Sequence, residues 1–246
     1  MCGRYTLKTP AAKLIQLFRV PAMPMLAPRY NIAPTQLVIC VRTVSEQPGS
    51  NEALFMRWGL IPFWAKDMKI GNTMINARSE TIAEKPAFRA AFAKRRCLIP
   101  ADGFFEWQKL STGKKQPWLI EKDDREPFAF AGLWECWHPK VTEESSDGPP
   151  DAARAGAAVP VISCTILTTA ANRDMQPLHE RMPVILPIES WAAWLSPQAS
   201  REQLTDMLQP LDNGRLVRTS VSAIVNRPFP DGPQCIEPVD SPEPLL

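Results

Sequence analysis

One stretch of sequence decides the fold class: Asp102-Gly-Phe-Phe-Glu-Trp-Gln-Lys-Leu-Ser-Thr-Gly-Lys-Lys-Gln-Pro-Trp-Leu-Ile-Glu121. Aromatic and branched residues fill both of its ends, which is typical of β-strands. A polar connection that contains glycine separates them at 109–115. We therefore predict that 104–108 and 118–121 are strands that pair as a hairpin.

The same composition recurs outward along the chain, so strands dominate the prediction. Further strands are predicted at 36–44, 53–59, 73–76, 97–99, 128–134, 161–169, 184–186 and 216–221. Helices are predicted at 80–94, 189–195 and 200–208, and at 11–18 with a cap at Thr9 and Pro10 as the first helical residue. We therefore predict an α+β fold, with a central, mostly antiparallel, strongly twisted, barrel-like β-sheet and short peripheral helices.

One region departs from this pattern. Residues 139–160 are rich in Glu, Ser, Asp, Gly, Pro and Ala and offer almost nothing to bury, which is typical of a mobile insertion. If this region were a linker between two domains, each half would hold an incomplete set of strands. We therefore predict one domain over 1–246 that contains an insertion.

Composition narrows the possible classes of function. No apolar run is long enough to span a membrane and no signal peptide opens the chain, so we expect a cytoplasmic protein without a membrane partner. The six cysteines are far apart, so we expect no metal, no cofactor and no disulfide. Because 28 basic residues nearly balance 26 acidic ones, any contact with nucleic acid must be local.

Cys2 is the first candidate for chemistry. It follows Met1, and removal of Met1 would place an amine and a thiol on one residue. Both groups are partly nucleophilic near neutral pH. Such an aminothiol condenses with an aldehyde to an imine and then closes through sulfur to a thiazolidine. The alternative is an ordinary cysteine at a frayed terminus.

Two polar motifs offer further candidates. Glu106 lies between Phe105 and Trp107 on a predicted strand, where partial desolvation would suit it to proton transfer, although a surface carboxylate explains it equally well. Asn76 and Arg78 are two residues apart and so share one strand face, where the amide can orient a nucleophile and the guanidinium can clamp a phosphate.

Two other segments have a structural and a functional interpretation. His179 lies in a polar cluster just before a predicted strand, where it is either a site residue or a structural histidine. The segment 58–64 contains aromatic residues that either stack on bases or pack in the core. Tyr30-Asn31-Ile-Ala33-Pro34 is predicted to form a rigid turn.

Taken together, these residues resemble the SOS-response-associated peptidase family, also called abasic-site processing proteins. The resemblance spans most of the chain and rests on motifs that occur in the family's order: Cys2-Gly3-Arg4, Arg29-Tyr30-Asn31-Ile-Ala33-Pro34, Trp58-Gly59, Ile75-Asn76-Ala77-Arg78, Asp102-Gly103-Phe-Phe-Glu106-Trp107, His179-Glu-Arg181-Met-Pro183, Val221-Ser222 and Asn226.

The resemblance implies a partner and a reaction. The partner is single-stranded DNA that contains an abasic site, and the reaction is covalent capture of the sugar aldehyde on Cys2 as a thiazolidine. It further implies that Met1 is lost by autocatalysis, and that Asn76 positions Cys2, Glu106 shuttles protons and His179 assists sugar ring opening. The implied DNA contacts are made by Arg4, Arg78 and Arg181 to phosphates, and by Trp64 and the turn from Asn31 to Pro34 to bases.

Two other classes of function remain open. Amidohydrolases with an N-terminal nucleophile also begin with Met-Cys-Gly and attack an amide through sulfur, although the motifs after residue 30 do not resemble theirs. A noncatalytic single-strand binder would use the tryptophans and arginines alone. We expect a monomer, located at the nucleoid when it is bound to DNA.

Overall fold

Short strands connected by turns make up most of the protein. The computed structural model describes residues 2–44, 49–139 and 159–241, so most of the predicted insertion lies outside the described residues. The strands are β1 (Tyr5–Leu7), β2 (Arg29–Ile32), β3 (Leu37–Thr43), β4 (Asn51–Trp58), β5 (Asn76–Arg78), β6 (Arg96–Ala101), β7 (Gly103–Lys109), β8 (Lys115–Lys122), β9 (Phe128–Trp137), β10 (Val161–Ala170), β11 (Arg181–Pro183), β12 (Ile185–Leu186) and β13 (Leu216–Ser220). The α-helices are α1 (Ala11–Phe18), α2 (Arg89–Lys94), α3 (Trp191–Leu195) and α4 (Arg201–Asp206).

Five strands close a barrel. They pair around a ring in the order β10, β4, β3, β6 and β9, and β9 then pairs with β10. Within the ring only β4 and β10 run parallel. The later part of β10 pairs in parallel with β5 and antiparallel with β11. The predicted α+β fold with a mostly antiparallel, barrel-like core is therefore confirmed.

Three cysteines lie buried in the barrel strands. Cys40, Cys97 and Cys164 lie on three different strands and have no exposed surface. A Cβ added to Gly132 would lie 2.8 Å from the Cys97 sulfur, so the close approach of β9 and β6 requires glycine there. Burial raises the pKa of the Cys40 thiol well above its ordinary value of 9.0.

A second, antiparallel sheet has the order β13, β8, β7, β1 and β2. Its centre is the predicted hairpin, which is confirmed: β7 and β8 pair along their length, from Gly103 opposite Glu121 to Lys109 opposite Lys115. This sheet carries the start of the chain, because β1 pairs with β7.

The predicted cap at Thr9 is wrong. Thr9 donates from its backbone N–H and its hydroxyl to the Asp102 carboxylate, and Pro10 occupies the cap position of α1 without a side-chain hydrogen bond. Asp102 therefore stabilises the link between β1 and α1. Helix α1 does form at 11–18, and its Phe18 stacks on Trp191 with ring centroids 4.4 Å apart.

Three other local predictions are corrected by the structure. The helix expected at 80–94 is reduced to α2 with a 3-10 turn at Ser79–Thr81, because Pro86 lacks an N–H and disfavours helix in the residue before it. The strand expected at 73–76 starts only at Asn76, after a 3-10 helix at Met68–Thr73. The turn expected at 30–34 begins as strand β2 and turns only after Ile32.

Buried Arg96 joins two helices to the barrel. Its guanidinium donates four hydrogen bonds of 2.6–2.8 Å to carbonyl oxygens of Phe92, Ala93, Trp194 and Ser196, at the ends of α2 and α3. The last carbonyls of a helix lack intrahelical partners, so this arginine satisfies both helix ends. Across the described ranges, no helix has the length and apolar character needed to cross a membrane.

Candidate active site at the amino terminus

The sheet places Cys2 beside β7. The backbone N–H of Phe105 donates to the Arg4 carbonyl at 3.0 Å, which extends the pairing of β1 and β7 toward the amino terminus. The Asn76 amide then donates from Nδ2 to the Cys2 carbonyl at 2.8 Å. Asn76 is itself fixed by the pairing of β5 with β10. Two sheets therefore fix the position of residue 2.

The Asn76 side chain has a second polar atom at this point. Its Oδ1 is buried and accepts no hydrogen bond from any residue that the structure describes. A buried acceptor without a donor costs about 1–3 kcal/mol. The amide therefore offers an acceptor to a group that enters beside Cys2.

The thiol of Cys2 is held in its protonated form. Cys2 has no exposed surface, and its Sγ lies 3.7 Å from the Arg4 carbonyl. Burial raises the pKa of this thiol strongly, and the negative charge of the Glu106 carboxylate raises the pKa further. Glu106 is itself only 3% exposed, so its charge acts on Cys2 through a medium of low dielectric constant.

An open cleft of about 400 Å³ adjoins Glu106. It is lined by Glu106, Trp107, Lys115, His179 and Asn226. The Nδ1 atom of His179 accepts a hydrogen bond from the Arg181 backbone N–H at 2.9 Å, so the neutral ring carries its proton on Nε2. Glu106 and His179, which are far apart in sequence, thus share one cleft.

Arg4 is fixed by residues that are distant from it in sequence. Its guanidinium donates to the Asn31 Oδ1 at 3.1 Å, to the Val225 carbonyl at 3.0 Å and to the Asn226 carbonyl at 3.3 Å. Asn31 is fully buried and its Nδ2 donates to carbonyls of Arg227 and Pro230. The Asn31 side chain therefore positions Arg4 and has no surface to offer a base.

Arg181 forms an ion pair beside His179. Both of its terminal nitrogens donate to the Glu80 carboxylate, and one of them also donates to the Thr168 carbonyl at 2.6 Å. The hydrogen bonds from Arg181 lower the pKa of Glu80, so this carboxylate stays ionised at neutral pH. A phosphate that binds Arg181 must therefore compete with Glu80.

The remaining predicted residues lie outside this cleft. Trp64 is 46% exposed beside exposed Phe63, and Arg78 is exposed at the end of β5. Pro34 is half-buried just after β2. Neither Trp64, Arg78 nor Pro34 is among the described residues that line the cleft.

Sequence reasoning assigned no role to several residues of the site. Lys115 and Asn226 line the cleft, and the Asn226 Oδ1 accepts from the Trp107 indole N–H at 2.7 Å. The pairing of 104–108 with 118–121 was a usable signal for Lys115, because it brings 115 close to 109. Nothing in the local sequence identifies Glu80 as the partner of Arg181. Within the described residues, no group of three or more His, Cys, Asp and Glu side chains is placed to bind a metal ion.

Comparison with known proteins yields one family. Residues 1–228 match the family SOS response associated peptidase (SRAP). The abasic site processing protein YoqW of Bacillus subtilis (strain 168) is 40% identical over 241 residues, which cover 96% of this chain and 99% of that protein. The abasic site processing protein HMCES of Rattus norvegicus is 30% identical over 249 residues, which cover 87% of this chain and 65% of that protein.

A solved structure shares the fold. The crystal structure of a protein from Bacteroides thetaiotaomicron superimposes with a TM-score of 0.81 at 24% identity, and the match covers 97% of this chain and 100% of that one. The family match extends over more than nine tenths of the sequence and includes Cys2, Asn76, Glu106 and His179. This chain therefore belongs to the SOS response associated peptidase family.

Proposed function

We propose that the protein processes abasic sites in single-stranded DNA, and that it does so by capturing the aldehyde of the ring-opened sugar on Cys2. The relatives at 40% and 30% identity are named abasic site processing proteins. One observation carries the proposal for this chain: Asn76 holds Cys2 at 2.8 Å, next to Glu106 and to the cleft that Glu106 shares with His179.

The reaction starts with the nitrogen of Cys2. While Met1 is attached, this nitrogen is part of an amide. Loss of Met1 gives a free amine, which attacks the sugar aldehyde to form a carbinolamine. The carbinolamine loses water to form an imine. The thiol then adds to the imine carbon while its proton passes to nitrogen, so the thiazolidine contains both partners less one water molecule.

Glu106 and His179 have separate roles in this scheme. Glu106 moves the protons of the imine and closure steps, because its carboxylate already acts on the Cys2 thiol and lines the cleft. His179 donates a hydrogen bond from Nε2 to the ring oxygen of the closed sugar, and this oxygen gains a proton as the anomeric hydroxyl loses one and the ring opens to the aldehyde. The buried Asn76 Oδ1 accepts a hydrogen bond from the free amine of Cys2.

Intact mass measurement tests the proposal. We expect protein without Met1 to gain the mass of an oligonucleotide with one abasic site, less one water, and we expect Cys2→Ala to gain nothing. Cys136→Ala is the matched control, since its thiol is partly exposed and lies outside the site. Hydrolysis of glutamine without an adduct would instead support the amidohydrolase, and binding without an adduct would support the noncatalytic binder.

Loss of Met1 is proposed to be autocatalytic and to depend on Glu106. Synthesis in a cell-free system without methionine aminopeptidase isolates this step. We expect wild-type protein to lose Met1 and Glu106→Gln to keep it, while the exposed control Glu84→Gln loses it. Retention of Met1 by the wild-type protein in this system would contradict autocatalysis and leave the capture reaction to be tested on enzymatically processed protein.

A further inference from the structure

The tip of the hairpin formed by β7 and β8 carries an unusual concentration of positive charge. Lys109 and Lys115 are paired directly across the two strands, and Lys114 precedes Lys115 in the turn. All three side chains are exposed, and residues 107–120 contain no aspartate or glutamate. We call these three residues the hairpin lysines.

This arrangement works against stability of the sheet. Like charges directly opposite each other on neighbouring strands are destabilising. The described ion pairs that involve this hairpin lie at its other end, where Glu121 contacts Lys8 at 2.9 Å and Arg125, and Lys122 contacts Asp124 at 2.7 Å. The hairpin lysines take part in none of the described ion pairs, so one end of the sheet is neutralised and the other stays cationic.

The turn that carries this charge has a fixed conformation. Leu110 donates to the Lys114 carbonyl at 2.9 Å and Gly113 donates to the Leu110 carbonyl at 2.9 Å. The Leu110 side chain is buried, and Gly113 has the positive φ of 81° that the turn needs. The lysine stems therefore start from a rigid frame, which reduces the entropy lost when their ammonium groups bind an anion.

The cationic tip adjoins the cleft. Lys115 lines it together with Glu106 and His179, and Lys109 lies on the same strand face as Trp107, two residues away. A strand of DNA seated over Glu106 and His179 therefore leaves the cleft past the hairpin lysines. Phosphodiesters carry one negative charge per nucleotide, which matches the unneutralised ammonium groups.

We propose that the hairpin lysines bind the phosphodiester backbone of single-stranded DNA where the strand leaves the cleft. This inference rests on the proposed function. It accounts for a like-charge pair that the sheet does not neutralise, and it supplies local positive charge in a chain whose net charge is only +2.

Salt-dependent binding of an undamaged single-stranded oligonucleotide tests this inference, because an undamaged strand has no aldehyde and binds without covalent chemistry. Each phosphate contact to a single strand contributes about 0.7 to the slope of log K against log salt. We expect Lys115→Gln to reduce the slope by about 0.7 and Lys109→Gln/Lys115→Gln to reduce it by about 1.4. The affinity of a variant relative to wild type then falls about fivefold per lost contact for each tenfold decrease in salt below 1 M.

A matched control and a stability measurement separate binding from folding. Lys94→Gln removes an exposed lysine of α2 outside the cleft and should leave the slope unchanged. Denaturant unfolding should show the double variant to be at least as stable as wild type, because the like-charge pair is gone. A purely structural role for these lysines predicts lower stability and an unchanged slope, and that result would overturn the inference.

Covalent capture of an abasic oligonucleotide, measured in parallel at saturating DNA, distinguishes the two proposals. If wild type forms the adduct and the double variant keeps the wild-type slope, the hairpin inference fails and the proposed function stands. If the slope falls as expected and wild type forms no adduct, the hairpin inference stands and the capture chemistry fails. Failure of wild type to bind single-stranded DNA would overturn both.

Discussion

Replacing Asn76 by alanine tests whether the position of Cys2 limits its reaction. The substitution removes the 2.8 Å hydrogen bond from Nδ2 to the Cys2 carbonyl and the proposed hydrogen bond from the free amine to Oδ1. Each such bond contributes about 0.5–1.5 kcal/mol, so the two together correspond to about a 5- to 160-fold change in the population of the held position. We therefore expect capture of an abasic oligonucleotide to slow by about 5- to 160-fold at saturating DNA.

The assay follows adduct formation over time on a denaturing gel, with protein in excess and Met1 already removed. Affinity for an undamaged single strand should not change, because both hydrogen bonds lie within the protein. Asn72→Ala is the matched control, since Asn72 is exposed and its Oδ1 accepts from Arg57 at 2.6 Å. An unchanged capture rate, or an equal decrease in Asn72→Ala, would refute the positioning role of Asn76.

Three further predictions concern charge, pH and stability. Glu80→Gln removes the anion that competes for Arg181 and should raise the affinity for single-stranded DNA up to about fivefold, as measured by fluorescence anisotropy, whereas exposed Glu84→Gln should not. The free energy of unfolding should fall as pH rises above 9, because buried Cys40 keeps a proton that the unfolded chain releases. In denaturant titrations, Cys40→Ala should make this decrease with pH less steep by about 1.4 kcal/mol per pH unit. Arg96→Leu should lower the free energy of unfolding by about 2–4 kcal/mol, since four carbonyls lose their donor, and should leave the capture rate of the folded protein unchanged.

Local sequence predicted the parts of the fold that local interactions determine. The hairpin of β7 and β8 follows from two apolar runs and the polar turn between them, and the structure confirms it. The helix prediction for 80–94 was wrong because it gave more weight to the apolar residues than to Pro86. A regular helix cannot accommodate a proline at this internal position. The strand β2 was missed because the Asp231 carboxylate accepts from the backbone N–H groups of Tyr30 and Asn31, about 200 residues away.

In the candidate site, the sequence likewise identified individual residues but not their distant partners. Cys2, Asn76, Glu106 and His179 could be selected from residue type and family motifs, and the structure brings Asn76 to Cys2 and places Glu106 and His179 in one cleft. The partners of the arginines could not be predicted, because residue type does not reveal a distant neighbour. Arg181 looks from sequence like a free phosphate ligand, yet it is paired with Glu80, 101 residues away.

The contacts of Arg4 with Val225 and Asn226 have a consequence for synthesis. Val225 and Asn226, which hold Arg4, are separated from it by 221 and 222 residues. The amino terminus therefore emerges from the ribosome long before Val225 and Asn226 are synthesised. Until residues 225 and 226 have been synthesised, the nascent chain presents Cys2 and Arg4 without these neighbours, and the amino terminus adopts the arrangement described here only afterwards.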